Sequence, residues 1–237
     1  MFNKYTPPFT IEKEDITISV EKENGNLVYK RVLNGDDTVE KILLHNGCEF
    51  LINPIEPVNI PKALSSFLLI EFQRPVMIAP YEKQTVHLKF PVEIGIFVSR
   101  KRGEHELIDI LTLAPSKFTL YGDPNRGVIC KYWESEVHSS YPHPDILREG
   151  DLELEIINDT NNWMELTRAV FNAYGMKIYY GSDRISMRAQ MKIINKSLAE
   201  TEFQTYALSP GFHRSVELYT SRKILLNSTK SIMEFGL

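Results

Sequence analysis

The sequence predicts an all-β protein, built as two β-sandwich-like units in tandem or, alternatively, as one large β-sandwich. Apolar and polar residues alternate with a period of two over most of the 237 residues. Turn signals recur about every 8 to 12 residues, which is the spacing of sandwich folds. Apolar residues rarely recur at the three- and four-residue spacing of an amphipathic helix. Residues 214–224 fit a short helix as well as a strand.

The N-terminal part predicts a β-hairpin followed by a proline-rich connector. Alternation across residues 16–33 is interrupted by the Asn24-Gly25 pair, which supplies the positive φ that a tight hairpin turn requires. A second turn and one or two strands are expected at residues 34–37 and 41–52. The tract at residues 53–61 contains three prolines, which lack a backbone N–H donor. We therefore expect an extended connector or a sheet edge there, and not a central strand.

The rest of the chain predicts further strands separated by turns. They are expected at residues 67–72, 75–78, 85–90, 91–98, 107–113, 152–156, 164–171, 176–180, 184–194 and 203–208. The strand at 91–98 is apolar on both faces, so we expect both faces to be covered. The strand at 184–194 alternates most cleanly, from Ile185 to Ile193. One of its faces is therefore expected to be solvated.

A central hairpin is expected at residues 117–133. Two strands that continue one apolar row flank the turn at 122–127. In this turn Pro124 presets its own φ, and the glycines at both ends tolerate positive φ. We expect the hairpin to join the two halves of the protein. The predicted N-terminal domain comprises residues 1–122, and the predicted C-terminal domain comprises residues 123–237.

Composition and charge exclude several classes of protein. Hydrophobic residues make up 43% and charged residues 24% of the chain, as in ordinary folded proteins. The net charge of −4 argues against a general nucleic-acid binder. The basic run Arg100-Lys101-Arg102 is followed at once by acidic residues, which is typical of a solvated loop. Cys48 and Cys130 are isolated in sequence, so we expect free thiols and not a disulfide or a zinc site.

Two features favour a cytoplasmic protein without a transmembrane segment. Residues 1–13 lack the apolar core of a signal peptide. The longest apolar runs are far shorter than the ~20 residues that a membrane-spanning helix needs.

The turn of the central hairpin carries the candidate binding residues. Asp123, Asn125 and Arg126 are polar groups on a short turn, so they would be presented rigidly and lose little ordering entropy on binding. Trp133 is the fourth candidate, because Tyr132 and Trp133 point to opposite sides of one strand and one of them is expected to be exposed. A structural role is the alternative for both features. Tight turns prefer these residue types, and a large aromatic side chain can fill an interface between two sandwiches.

The loop after the hairpin carries the candidate metal ligands. His138, His143 and Asp145 lie close together in the sequence, and two histidines with a carboxylate could form an open zinc-type site. Their spacing matches no known zinc signature, and solvated loop histidines are the alternative. The chain contains no GxSxG, HExxH or phosphate-binding glycine motif. We therefore expect no cofactor and identify no catalytic residue.

Five stretches of the sequence resemble a known protein family. They are INPIEPVN at 52–59, LYGDP at 120–124, GVICKYW at 127–133, AYGMKIYY at 173–180 and ELYT at 217–220. Together they resemble an uncharacterised archaeal family known only as a domain of unknown function. The resemblance implies an archaeal, intracellular origin. No catalytic residue is transferred, because the family has no established activity.

The sequence as a whole favours a non-enzymatic interaction or assembly protein, whose partner is an unknown protein or a second copy of the chain. A metal-dependent enzyme that uses His138, His143 and Asp145 is one alternative. A carbohydrate-binding module is the other, because exposed aromatic side chains on a sandwich can stack on sugars.

Overall fold

Almost all regular structure in the described part of the chain is β-strand. The computed structural model describes residues 1–44, 47–99, 104–218 and 230–237. These residues form nineteen strands and one 3-10 turn at Ala173–Gly175, so the all-β prediction is confirmed. Within the described residues, no helix has the length and apolar character needed to cross a membrane. The Arg100-Lys101-Arg102 run and most of the ambiguous stretch at 214–224 lie outside the described residues.

The strands are numbered β1 to β19 along the chain. The first ten are β1 (Asn3–Tyr5), β2 (Phe9–Lys13), β3 (Ile16–Glu23), β4 (Asn26–Leu33), β5 (Asp37–Leu43), β6 (Glu49–Ile55), β7 (Phe67–Ile78), β8 (Lys83–Pro91), β9 (Glu93–Ser99) and β10 (His105–Leu111). The others are β11 (Phe118–Tyr121), β12 (Val128–Ser135), β13 (Glu149–Asn158), β14 (Met164–Asn172), β15 (Tyr179–Tyr180), β16 (Ile185–Asn195), β17 (Leu198–Gln204), β18 (His213–Arg214) and β19 (Ser231–Met233).

The chain divides into two compact units, each made of two separate pieces of sequence. The first unit comprises residues 1–53 and 95–110, and the second comprises residues 54–94 and 111–237. The single boundary predicted between residues 122 and 123 falls inside the second unit, and so does the whole central hairpin. The difference arises because the units are defined by pairing between strands distant in sequence, which local alternation does not reveal.

The strands of the first unit belong to two four-stranded sheets, in the orders β1-β6-β9-β10 and β2-β3-β4-β5. The predicted hairpin is confirmed, since β3 and β4 are joined by Asn24 at φ 49° and Gly25 at φ 85°. The next turn repeats this arrangement with Asn34 at φ 52° and Gly35 at φ 79°. Both pairs fit a turn with two positive φ values, which matches the right-handed twist of antiparallel strands.

A buried polar cluster ties the two sheets of the first unit together. The guanidinium of Arg31 on β4 donates to Asp109 on β10 at 2.7 Å and to Asp37 at 2.8 Å. The hydroxyl of Tyr29 donates to the same Asp109 carboxylate at 2.8 Å. Arg31 is buried, so its charge needs these partners to offset the loss of hydration.

The proline-rich tract begins inside β6 and continues beyond it. β6 runs to Ile55 between β1 and β9, but its pairing with β1 ends at Ile52, so residues 53–55 are unpaired with β1. Pro54 is tolerated there because the pairing between β6 and β1 ends at Ile52. Its missing N–H therefore removes no hydrogen bond to β1.

The second unit also contains two sheets. One has four strands in the order β11-β12-β7-β14. The other has seven strands: five follow the order β18-β15-β16-β13-β8, β17 pairs with β16, and β19 pairs with β17. Phe171 on β14 stacks on Phe203 on β17 with ring centroids 5.0 Å apart. The hydroxyl of Thr201 donates to the carbonyl of Val170 at 2.6 Å. These contacts place the core of the second unit between its sheets.

The seven-stranded sheet has one apolar and one charged face. Leu152 and Leu154 of β13 are fully buried, whereas Glu153 and Glu155, which alternate with them, are half-buried, as the alternation predicts. Along the face that carries Glu153, each basic strand lies beside an acidic one. We call this the charged face. Its ion pairs are Lys83–Glu155, Lys89–Glu149, Arg184–Asp151, Arg188–Glu153 and Lys192–Asp159, and His87 adds a hydrogen bond with Asp151.

Candidate binding site

The central hairpin forms as the sequence predicts, and Asp123 holds its turn. β11 and β12 pair antiparallel, with Phe118 opposite Lys131. The carboxylate of Asp123 accepts hydrogen bonds from the backbone N–H groups of Asn125 at 2.9 Å and Arg126 at 3.2 Å. Its carbonyl accepts a third from the N–H of Gly127 at 2.7 Å. Asp123 therefore stabilises the turn from within.

The two glycines of the turn are needed for different reasons. Gly122 has φ +107°, and a Cβ at this position would lie 2.6 Å from the ring of Phe235. Gly127 does not have positive φ, so the predicted reason is wrong for this residue. A Cβ at Gly127 would instead lie 2.7 Å from the carbonyl oxygens of Asp123 and Tyr121. Close approach of the backbone, and not its dihedral angle, explains Gly127.

Arg126 is the most exposed charged group of the turn. Its side chain is 80% exposed, and its Nε lies 3.4 Å from the carboxylate of Asp123. An exposed pair at this distance contributes little free energy. The guanidinium can therefore exchange this contact for a better acceptor at low cost. Asn125 is also exposed, next to Arg126.

Arg126 borders a cleft of about 300 Å³ beside the hairpin. Apolar side chains line part of its wall, namely those of Phe67, Val128, Val170 and Phe235. Lys230 and Glu234 bring charged groups to the same cleft. This volume is at the lower end of the range typical of sites for small ligands, and the mixed lining suits a ligand that has an apolar part and an ionised group.

Tyr121 fixes the wall of the cleft. Its hydroxyl donates to the carbonyl of Gly236 at 3.0 Å and accepts from the N–H of Phe235 at 3.1 Å. The rings of Tyr121 and Phe235 pack edge to face with centroids 5.6 Å apart. Burial raises the pKa of Tyr121, so the hydroxyl remains a neutral donor. The hairpin and residues 235–236 thus form one preorganised surface.

Lys230 adds a second positive charge to the cleft. Its ammonium lies 2.5 Å from the carboxylate of Glu200 and 3.8 Å from that of Glu202. The hydrogen bond that Lys230 donates to Glu200 raises the pKa of Lys230, which keeps the ammonium protonated. Arg126 differs from Lys230 because its own carboxylate neighbour is farther away.

Trp133 lies away from this cleft. It borders a separate pocket of about 160 Å³ together with Tyr132 and Lys117. Neither aromatic side chain is fully exposed, and the Nε1 of Trp133 is buried without a hydrogen-bond partner among the described residues. The hydroxyl of Tyr132 donates to Glu71 at 2.6 Å, and this bond raises the pKa of Tyr132 to about 12. The exposed tryptophan of the protein is Trp163, at 61% exposure, which the alternation pattern did not single out.

The three candidate metal ligands make separate contacts. His138 forms a backbone bridge with His87, with N–O distances of 2.9 and 3.0 Å. The ring of His143 packs on Tyr141 at a centroid distance of 4.5 Å, and Asp145 pairs with Arg148. In the part of the chain that the structure describes, no group of three or more His, Cys, Asp and Glu residues could hold a metal ion.

The loop with these histidines covers a network that sequence reasoning missed. Asp151 is fully buried, and its carboxylate bonds to Nδ1 of His87 at 3.0 Å and to the guanidinium of Arg184 at 2.6 Å. That guanidinium lies 3.8 Å above the ring of Tyr141. Period-two alternation correctly places these side chains on one face. It carries no information on which of them meet, because their strands are far apart in sequence.

The fold and the cleft define an all-β protein of two units, with a candidate binding site beside the hairpin of the second unit. The chain belongs to the family described as protein of unknown function (DUF432), whose model matches residues 1–235. This membership confirms the resemblance to a domain of unknown function. A search of curated proteins and a search of solved structures found no match.

Proposed function

We propose that the protein is a non-enzymatic interaction protein, and that it binds an acidic group of a partner protein in the cleft beside the central hairpin. The observation that supports this function is the position of Arg126. Its exposed guanidinium stands on a rigid turn at the border of a cleft with apolar walls. A carboxylate suits a guanidinium well, because two parallel N–H donors match its two oxygens.

The lining of the cleft indicates which sequence the partner presents. Arg126 favours a negative charge, whereas Lys230 is already paired with Glu200. The walls formed by Val128 and Phe235 favour an apolar neighbour. The ligand is therefore a short protein segment with an aspartate or glutamate next to an apolar side chain. The turn is already ordered by Asp123, so binding costs little conformational entropy on this side of the interface.

A peptide library displayed on phage and selected on the purified protein tests this proposal. We expect enrichment of peptides in which an acidic residue adjoins an apolar one. Arg126→Ala should weaken the binding of a selected peptide by about tenfold or more, because a hydrogen bond to a charged group contributes ~1.5–3 kcal/mol. The control is Arg74→Ala, which removes an exposed arginine of the same unit that does not border the cleft.

Two outcomes would contradict the proposed function. One is selection of peptides without acidic enrichment. The other is a selected peptide that binds Arg126→Ala and the unmodified protein equally well, because the cleft would then not supply the binding contacts.

We also propose a cytoplasmic location. Cys48 and Cys130 are both buried free thiols, and free cysteines persist in reducing compartments. The archaeal origin implied by the resemblance is a further part of the proposal. Recovery of the native protein from the cytosolic fraction of its host tests the location.

A further inference from the structure

β11 is a free edge of the four-stranded sheet of the second unit. The backbone N–H of Tyr132 donates to the carbonyl of Lys117 at 2.9 Å. Hydrogen-bonded positions alternate along an antiparallel pair, so Thr119 and Tyr121 also direct their backbone groups towards β12. The backbone groups of Phe118 and Leu120 point the other way. Among the described residues, no strand pairs with them on that side.

This edge lacks the protection that other edge strands of the protein have. Natural sheets block unwanted pairing with charged residues on their edges. In the described sheets, the other edge strands of four or more residues all carry charges, namely β2, β5, β8, β10 and β14. β11 has the sequence FTLY, with no charge and no proline.

Exposed apolar side chains adjoin the same edge. Leu120 is 45% exposed, and its cross-strand neighbour Ile129 is 46% exposed. The pair lies at the hairpin end of the sheet. A further strand added to β11 would cover Leu120 and bond the outward backbone groups.

We propose that β11 pairs antiparallel with β11 of a second copy of this chain, around a two-fold axis at Leu120. The two four-stranded sheets then become one sheet of eight strands. A two-fold axis makes the contact self-complementary and closed, so it stops at a dimer. This inference goes beyond the proposed function and does not depend on the cleft.

Charge complementarity selects the second copy as the occupant and sets the register. The two copies form hydrogen bonds only if the outward backbone groups of Phe118 and Leu120 in one copy face outward groups in the other. The two-fold axis can then lie at Phe118, Thr119 or Leu120. The axis at Leu120 places Lys117 of each copy at the end of β11 of the other, beside the turn that carries Asp123. Lys117 is exposed, and the Asp123 side chain is 39% exposed. The same register places the two exposed Leu120 side chains in contact.

Sedimentation velocity of the full chain over a range of concentrations tests the dimer. We expect a reversible monomer–dimer equilibrium. Leu120→Lys should raise the dimer dissociation constant by about tenfold or more, because like charges would face each other across the axis. The control Ile42→Lys, at an exposed apolar position of the charged edge strand β5, should leave the dissociation constant unchanged. A monomer at all concentrations, or a dimer insensitive to Leu120→Lys, overturns the proposal.

Oxidative cross-linking tests the register. Residues opposite each other at a hydrogen-bonded position have Cα atoms about 5.5 Å apart, within the range of about 4.4–6.8 Å that a disulfide spans. Leu120→Cys should therefore form a covalent dimer faster than Thr119→Cys or Phe118→Cys. The two native cysteines are buried, so cross-linking of the unmodified protein measures the background rate. Fastest cross-linking of either other variant overturns the Leu120 axis. Arg126→Ala should still dimerise, which separates this contact from the cleft.

Discussion

The charged face of the seven-stranded sheet and the central hairpin use charge in opposite ways. On the charged face, basic strands alternate with acidic strands, and ion pairs connect them at 2.6 to 3.1 Å. On the hairpin, Arg126 lies 3.4 Å from a carboxylate that already holds the turn. Charges satisfied within the sheet stabilise the fold and have little affinity left for a partner. A charge that is only loosely paired has more to gain from binding, so the hairpin is the better candidate surface.

The largest expected effect is at Asp151, the buried end of the charged face. Asp151→Ala should lower the free energy of unfolding by about 3–5 kcal/mol, because it leaves the guanidinium of Arg184 without its partner in a partly buried site. Urea denaturation measures the loss. The control is Glu153→Ala on the same strand, whose carboxylate is about a quarter exposed and pairs with Arg188. It should cost less than ~1 kcal/mol. Equal losses would show that burial does not distinguish the two pairs.

The next largest effect is expected on the hairpin. Gly127→Val places a side chain where two carbonyl oxygens lie 2.7 Å from the Cβ position. We expect a loss of about 1–3 kcal/mol in unfolding free energy, as for other overpacked sites. Thermal unfolding followed by circular dichroism measures it. Asn125→Ala, an exposed change in the same turn, should stay within about 0.5 kcal/mol. An unchanged melting temperature for Gly127→Val would show that the turn is not rigid.

Glu56 provides a third environment, a carboxyl group that is buried and incompletely bonded. Its Oε2 has no hydrogen-bond partner among the described residues. Burial, with a smaller contribution from the charge of Glu217, raises the pKa of Glu56 from 4.5 to about 8. The unfolded chain ionises this group at lower pH than the folded protein does. The contribution of Glu56 to stability is therefore greatest at low pH and falls as the pH rises from the unfolded towards the folded pKa of this group.

The slope of this fall is measurable. One proton bound only in the folded state lowers the unfolding free energy by about 1.4 kcal/mol per pH unit between about pH 5.5 and 7. Glu56→Gln removes that contribution, so its stability should fall less steeply with pH than that of the unmodified protein. Urea denaturation across this range gives both slopes. Identical slopes would show that Glu56 is ionised in the folded protein.

The smallest effect is expected at the solvated rim of the charged face. Lys192 and Asp159 are both more than half exposed and lie 3.0 Å apart. Lys192→Ala should change the unfolding free energy by less than ~1 kcal/mol, and high salt should reduce the difference further. A loss of several kcal/mol that persists at about 1 M salt, where interactions between exposed charges are largely screened, would contradict the view that exposed pairs contribute little.

The sequence by itself determined the features that depend on neighbouring residues. Asn24-Gly25 specifies a hairpin turn because both residues accept positive φ. Alternation along β16 predicts its buried and solvated faces, since successive side chains point to opposite sides of a strand. The central hairpin and the rigid turn that presents Arg126 follow from the same local chemistry.

The tertiary structure alone decided which distant residues meet. Pro54 is tolerated within β6 because the pairing with β1 stops before it, at Ile52, which no local pattern records. The candidate cleft exists because Phe235 packs on Tyr121, 114 residues earlier, where Phe235 N–H bonds to the Tyr121 hydroxyl. Backbone propensity acts over a few residues, whereas sheet order and core packing are set by the burial of apolar surface over the whole chain.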